Sequence, residues 1–491
     1  MPGIKSILKQ SSIYSTTQVL LLMFSLITFP IFTRLLSKEE YGLLNIVTIT
    51  LTMVTLLCSG DLKDAILRFY GECEGKDEIR ILISNTFTGS LLISMVGYLL
   101  SVVAAFVLFE LRLIPNNVFK IIVISFLAII ARNVLTPIQT FYRVREEALK
   151  YNAISFISKL LTTTLCIIFV AYLSKGLYGL FIGQTVGEGI VAIVLLFLFL
   201  KKYGLAILSI SAQHLKIFLK YSLPLVVNGI FVYLSNFGDR YLIALFLDQS
   251  SVATYVVAYV LPDYLQTAII LSLNMVLYPA IMNLWGKGRD QEADVMLSNF
   301  LIIYIVIAIP IIFGLFSVRY EIIEVLASKK YLQSAELIAV LTLGIMMKGL
   351  YFPLAAGLYK EKKTKLIALV NVAGVFINVV LNIVLIPVLG LKGAAFATFV
   401  SYFGVLVISY RLSNRYKKIN MDFKKVASFT AIAITISLVM FLVLNFINVK
   451  PLGLICGLIC KILVGILIYC GGVLIFIKRV RKQSEKLFGR T

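Results

Sequence analysis

Residues 118–150 read VFKIIVISFLAIIARNVLTPIQTFYRVREEALK: an apolar run holding one arginine, Arg132, a proline five residues later at Pro137, and a charged ending, Arg143-Val144-Arg145-Glu146-Glu147. The run is long enough to cross a hydrocarbon core as a helix. Arg132 therefore lies where a cation costs about 2.5–3.5 kcal/mol on insertion scales, so it needs a carboxylate, water or an anionic ligand. The same grammar returns 216 residues later as Lys348, Pro353 and Tyr359-Lys360-Glu361-Lys362-Lys363. Two intramembrane cations at matching places predict a membrane protein with two matching halves and a cation-lined path.

The whole chain has the composition this requires. It is 60% hydrophobic and 14% charged over 491 residues, with mean hydropathy +0.97, against about 25% charged residues in a typical soluble domain. The apolar residues fall in blocks of about 20, the length of a membrane-spanning helix; a membrane β-barrel would alternate in ten-residue pieces. The fold class is all-α, polytopic. Fourteen spans are expected, near 13–36, 42–60, 81–109, 118–140, 153–173, 178–200, 218–247, 252–283, 298–318, 336–359, 366–389, 393–412, 426–447 and 454–477. The first is read as a retained span, because it is too long for a signal peptide and no small-residue cleavage site ends it.

A net charge of +22 raises the question of nucleic acid, which topology answers. With both termini cytoplasmic, 30 Lys and Arg fall in cytoplasmic loops and tails and 10 in outer ones. That asymmetry sets the orientation and absorbs most of the basic excess, so no nucleic-acid partner is expected. The six cysteines form no CxxC and the one histidine, His214, lies near a loop; neither supplies a metal site or a catalytic triad. No GxxxxGK[ST] occurs and the longest loops have about 20 residues, which leaves no room for a nucleotide-binding domain.

The halves match beyond the opening pair. Gly75-Lys76-Asp77 returns as Gly288-Arg289-Asp290, Ser84-Asn85 as Ser298-Asn299, Arg145-Glu146 as Lys360-Glu361, and Gly176-Leu177-Tyr178-Gly179 as Gly390-Leu391-Lys392-Gly393, at offsets of 213 to 215. A period of six spans brings both copies into the membrane from the same side. Such parallel repeats are related by an axis along the membrane normal, with the substrate path expected between them. The expected divisions are an N-terminal lobe at 1–210, a C-terminal lobe at 211–412, and two added spans with a basic cytoplasmic tail at 413–491.

The stretch Arg34-Leu35-Leu36-Ser37-Lys38-Glu39-Glu40-Tyr41-Gly42, followed by Asp61 and Arg68-Phe69-Tyr70, resembles the start of bacterial polysaccharide-unit flippases of the multidrug/oligosaccharidyl-lipid/polysaccharide exporter superfamily. Two six-span halves plus two C-terminal spans is also their order. The resemblance implies a multi-pass protein of the bacterial cytoplasmic membrane. It would carry an undecaprenyl-pyrophosphate-linked oligosaccharide from the inner to the outer leaflet, beside membrane lipids and polysaccharide assembly proteins.

The charges inside the spans support such cargo independently. Arg132, Lys348, Arg240 and Lys159 are the candidate cations of a substrate path; arginine offers a bidentate fork to phosphate oxygens, and lysine a point charge. The alternatives are a salt bridge that staples helices, or snorkelling, which is the expectation for Lys220 and Lys461. Asp239, Asp263 and Glu188 are the acids within spans and the candidates for a coupling ion, Na⁺ or H⁺. Asp239 and Arg240 are helix neighbours about 100° apart and need not pair with each other. Four cations exceed three acids, so one is left for an anionic ligand. No other cofactor is expected. Asn371, Asn378 and Asn382 share a helix face and line a sugar path or bond between helices.

A transporter rather than an enzyme is expected. The competing readings are an antiporter for cationic drugs, which the cation surplus opposes, and a membrane polysaccharide polymerase or ligase, which needs a larger outer loop than 319–335.

Overall fold

A computed structural model describes residues 4–173, 175–204, 209–447 and 453–487, and among them every regular element is helical. The helices are α1 (Ile4–Leu35), α2 (Lys38–Ser59), α3 (Leu62–Phe69), α4 (Lys76–Glu110), α5 (Asn116–Val144), α6 (Ala148–Ile167), α7 (Gly176–Tyr203), α8 (Ala212–Phe237), α9 (Asp239–Phe246), α10 (Gln249–Gly286), α11 (Asp290–Ser317), α12 (Arg319–Leu326), α13 (Ala335–Met347), α14 (Tyr351–Leu354), α15 (Ala356–Lys360), α16 (Thr364–Leu389), α17 (Leu391–Tyr416), α18 (Phe423–Phe446) and α19 (Leu454–Leu487). Thirteen helical segments are long and apolar enough to cross a membrane, and Leu20–Leu35 of α1 adds a shorter apolar stretch among the described residues. Large apolar side chains such as Leu100, Ile193, Phe197 and Leu467 stand exposed, which suits lipid as the solvent for those faces.

The chain forms two compact units, Met1–Ala253 and Thr254–Thr491. In the first, α5 packs between α4 and α7, and α6 packs on α7. Its core is built from Phe87, Ile138, Phe141 and Phe199. In the second, α13 packs on α17, α16 on α17, and α11 on α18, with Phe300, Tyr304 and Met346 at one centre. Glycines let α7 approach α6 closely: a Cβ on Gly183 or Gly187 would lie 2.7 Å from backbone atoms of Cys166 or Thr162.

The repeat is written in the backbone as well as in the side chains. Left-handed residues recur at equivalent places: Arg112 (φ 58°) and Ser328 (φ 91°), Glu146 (φ 60°) and Lys362 (φ 53°), Gly176 (φ 54°) and Gly390 (φ 58°). A side chain of the third span also bonds a carbonyl of the fourth in both halves. Ser90 Oγ donates to Asn133 O at 3.4 Å, and Tyr304 Oη to Met346 O at 2.6 Å.

Two loops hold more structure than their polarity suggested. Within 61–80, α3 buries Leu62, Ala65 and Ile66. Residues 319–335 fold as α12 and a 3₁₀ turn at Lys329–Ser334. The expected span 336–359 is interrupted: α13 gives way to a 3₁₀ turn at Lys348–Leu350, then to α14 and α15.

Candidate functional site

In the first unit, Arg132 on α5 faces Glu188 on α7. The guanidinium donates from Nε to Glu188 Oε2 at 2.8 Å and from Nη2 to Oε1 at 2.9 Å, the two-pronged geometry that makes arginine–carboxylate pairs strong. Gln184, one turn earlier on α7, adds a bond from Nε2 to Glu188 Oε1 at 3.2 Å. The side chains keep 22% and 13% of their exposure, so the pair is largely withdrawn from its surroundings. Lys159 on α6 lies within electrostatic reach of both Glu188 and Arg132, but its side chain is exposed.

In the second unit, Lys348 opens the 3₁₀ turn after α13. Its ammonium donates to Asp263 Oδ1 at 3.1 Å and to Tyr259 Oη at 2.9 Å, both on α10. It also lies 5.4 Å from the centre of the Tyr259 ring and 5.1 Å from that of Tyr402 on α17. The tyrosine hydroxyls meet at 3.5 Å. The cation is thus held by one acid and two aromatic faces, an arrangement that suits a point charge.

Asp239 and Arg240 follow Gly238, between α8 and α9, and they pair with each other at 3.2 Å, which helix geometry had left open. Arg240 also donates to Asn236 O, one turn back in α8, at 3.0 Å. Both are buried, at 5% and 3% exposure. They begin α9, about 40 Å along from the start of α8 at helical rise, beyond the middle of a hydrocarbon core. Each of the three acids therefore takes one cation, and Lys159 is the candidate cation left over.

Lys461 does not snorkel. It is 8% exposed and pairs with Glu321 of α12. Asn378 and Asn382 are buried in the α16–α17 contact. Asn378 Nδ2 donates to Ser401 Oγ at 3.1 Å, and Asn382 Nδ2 to Asn378 Oδ1 at 2.9 Å, so they bond within and between helices.

Tyr259 and Tyr402 escaped the sequence reading. One signal was available: Tyr402 stands 214 residues after Glu188, the repeat period itself. The stretch Arg34–Gly42 acquires a physical role at a helix junction. Ser37 and Glu40 form a capping box on α2, and the other Glu40 oxygen accepts from Leu177 N at the start of α7, at 3.2 Å. A Cβ on Gly42 would lie 1.8 Å from the carbonyl oxygen of Gln249, so only glycine admits the first turn of α10 there.

This architecture is matched by known proteins. The profile of the polysaccharide biosynthesis protein family matches residues 7–285. The chain belongs to that family. A second profile, MatE, matches residues 224–384. A probable low-salt glycan biosynthesis flippase of Haloferax volcanii is 22% identical over 291 residues, 58% of this chain and 60% of that protein. A membrane protein of Methanocaldococcus jannaschii is 29% identical over 136 residues, 27% of this chain and 26% of its own length. The matches thus span less than two thirds of these curated relatives. Among solved structures, an inward closed conformation of the lipid II flippase MurJ superposes with a TM-score of 0.75 at 18% identity, covering 95% of this chain and 99% of that one. An outward-facing multidrug transporter of the MOP superfamily superposes at 0.58 with 12% identity, covering 88% and 99%. This family member therefore shares its fold with these proteins.

Proposed function

We propose that the protein is a flippase. In this reading it moves an undecaprenyl-pyrophosphate-linked oligosaccharide unit from the inner to the outer leaflet of the bacterial cytoplasmic membrane by alternating access, with both termini cytoplasmic. The observation that carries the reading is a cation held near the middle of a span in each unit, Arg132 and Lys348, at equivalent places of the repeat. A pyrophosphate brings about two negative charges, which cannot cross hydrocarbon unpaired. Cations at mid-depth supply the pairing, and an acid beside each keeps it compensated when no substrate is bound. An apolar groove of about 810 Å³ in the second unit, lined by Val306, Pro310, Met440, Gly465 and Tyr469 among others, offers a surface compatible with a hydrocarbon tail. Membership in the polysaccharide biosynthesis family points the same way. Coupling to Na⁺ or H⁺ belongs to the proposal, with Glu188, Asp263 and Asp239 as its candidate acids; Glu188 and Asp263 are favoured, because each holds a mid-span cation. The excess of cations over acids weighs against cationic drugs as cargo.

The test is transport of a fluorescent lipid-linked diphosphate oligosaccharide in proteoliposomes. The R132A/K348A double variant should insert normally and lose translocation by about a hundredfold or more, since two charge-assisted contacts of roughly 1.5–3 kcal/mol each are removed. Unimpaired transport by a correctly inserted double variant would overturn the proposal.

A further inference from the structure

We infer that Glu188 is a built-in stand-in for the substrate's diphosphate, and that Lys159 is the cation that receives Glu188 when the diphosphate takes Arg132. The anion's identity rests on the flippase reading above; the exchange itself rests on the geometry of the first unit.

Three charged residues lie near the middle of packed neighbouring spans, α5 and α6 both packing on α7. Arg132, Lys159 and Glu188 are each within two residues of the middle of their spans, Asn116–Val144, Ala148–Tyr172 and Gly176–Tyr203. The guanidinium uses its two-pronged face on Glu188, which is the same face it would offer to two phosphate oxygens. Carboxylate and phosphate therefore compete for the Nε–Nη2 edge; the Nη1 donors stay available, but the cationic charge is already compensated, so Arg132 offers its full pairing to cargo only when Glu188 lets go.

A released carboxylate at mid-membrane depth needs another partner at once. Gln184 already donates to it, but an amide cannot neutralise a charge. Lys159 can. Among the described residues it has no hydrogen bond or ion pair of its own, its side chain is exposed, and Glu188 is within its electrostatic reach. About 18 Å of helix separates it from either end of its span, which is beyond what a lysine stem bridges by snorkelling. The remaining neighbours do not supply the missing charge: Cys166, two turns along α6, is within electrostatic reach of Lys159, and Tyr233 of α8 is within electrostatic reach of Arg132. In the empty state the pairs are Arg132 with Glu188, and Lys159 alone. In the loaded state they are Arg132 with diphosphate, and Lys159 with Glu188. No carboxylate is stranded in either.

Inorganic pyrophosphate binding to the purified full chain, followed by calorimetry, tests this with a double-mutant cycle. E188Q removes the competitor and should bind pyrophosphate about tenfold more tightly than the wild type, the equivalent of one lost ion-pair contact. K159Q removes the relief partner and should bind about tenfold more weakly. The E188Q/K159Q double should match E188Q, because no carboxylate then needs relief. An E188Q that binds no more tightly overturns the inference, as does a K159Q defect of equal size in both backgrounds, which would make Lys159 a direct ligand. If E188Q does not fold, the wild-type chain carries the test. Pyrophosphate should slow acetylation of the Lys159 amine, read by mass spectrometry, and unchanged labelling overturns the inference. Tighter pyrophosphate binding by an E188Q chain whose parent moves no lipid-linked glycan would sink the flippase reading and leave this site standing. Glycan transport without that gain would do the reverse.

Discussion

The fourth span of the first unit and its counterpart in the second start from the same pattern, a mid-span cation five residues before a proline, and end differently. In the first, α5 runs unbroken through Arg132 and Pro137. In the second, the helix yields at Lys348 to a 3₁₀ turn and two short helices. Pro353 alone does not explain the break, because Pro137 is accommodated within a continuous helix. The packing partner does. Tyr304 presses its ring on Gly349, where a Cβ would come within 2.0 Å of it, and donates to the Met346 carbonyl. The first unit has Ser90 in that role, small enough to leave the helix intact. The acids differ as well. Glu188 comes from the sixth span of its half, whereas Tyr402 fills the equivalent place in the other half and the acid, Asp263, comes from α10 instead. Equivalent cations have thus acquired different partners, and the partner fits the cation: a carboxylate fork for arginine, an acid with two rings for lysine.

The largest test of this contrast removes the acids one at a time. E188A leaves a largely buried guanidinium with no counter-charge, and breaking such a pair costs about 3 kcal/mol. D263A leaves Lys348 its hydroxyl bond and two ring faces, so the loss should be nearer 1 kcal/mol, the worth of an ordinary net interaction. Thermal unfolding followed by the loss of helical circular dichroism suits the comparison, since every regular element among the described residues is helical. Equal shifts for the two variants would show that the tyrosines contribute nothing to holding Lys348.

Much of this was legible before the structure. Hydropathy located most spans, because crossing hydrocarbon leaves a helix little choice of length or composition; it ran past Gly238, so that the expected span 218–247 is α8 followed by the separate α9, and it missed some starts by six to nine residues where polar turns extend α1, α8 and α11. The repeat was legible because paired motifs kept their spacing. The cations were legible because a charge in an apolar run stands out. The partners were not. Sequence places Glu188, Asp263 and Asp239 in spans, but which acid meets which cation depends on helix rotation and contact across tens or hundreds of residues. Helix geometry left open whether the neighbours Asp239 and Arg240 pair with each other, and only the structure shows that they do. The amphipathic α3 hid in a polar loop because eight residues are too few to register as a span, although Leu62, Ala65, Ile66 and Phe69 carry a helical spacing.

The second test concerns the break itself. G349A puts a methyl into the buried Tyr304 ring, and overpacking of this kind costs about 2 kcal/mol. The Y304S/G349A double variant replaces the ring with the side chain the first unit uses at that place. It should recover most of the stability that G349A loses by itself, measured against Y304S as its own reference. If G349A is just as harmful in the Y304S background, the glycine is needed for the backbone of the turn rather than for the ring, and the proposed cause of the break is wrong.

The smallest test asks where the two halves remain alike. Both versions of the fourth span end in the same way, in a turn rich in charged residues. Glu147 N bonds Tyr142 O at 2.9 Å and Lys363 N bonds Leu358 O at 2.9 Å, with Glu146 N on Arg143 O and Lys362 N on Tyr359 O, each at 3.1 Å. This is a helix C-cap closed by a left-handed residue, a place where glycine is ordinarily favoured. Here Glu146 and Lys362 occupy it, with φ of 60° and 53°. Replacement by glycine relieves the steric cost of the left-handed backbone, offset in part by the greater freedom of glycine in the unfolded chain. E146G and K362G should each stabilise by about 0.5 kcal/mol. They should do so equally, because the backbone repeats although the side chains are of opposite charge. A gain for one and a loss for the other would mean that the charges, and not the shared backbone, decide the stability of these caps.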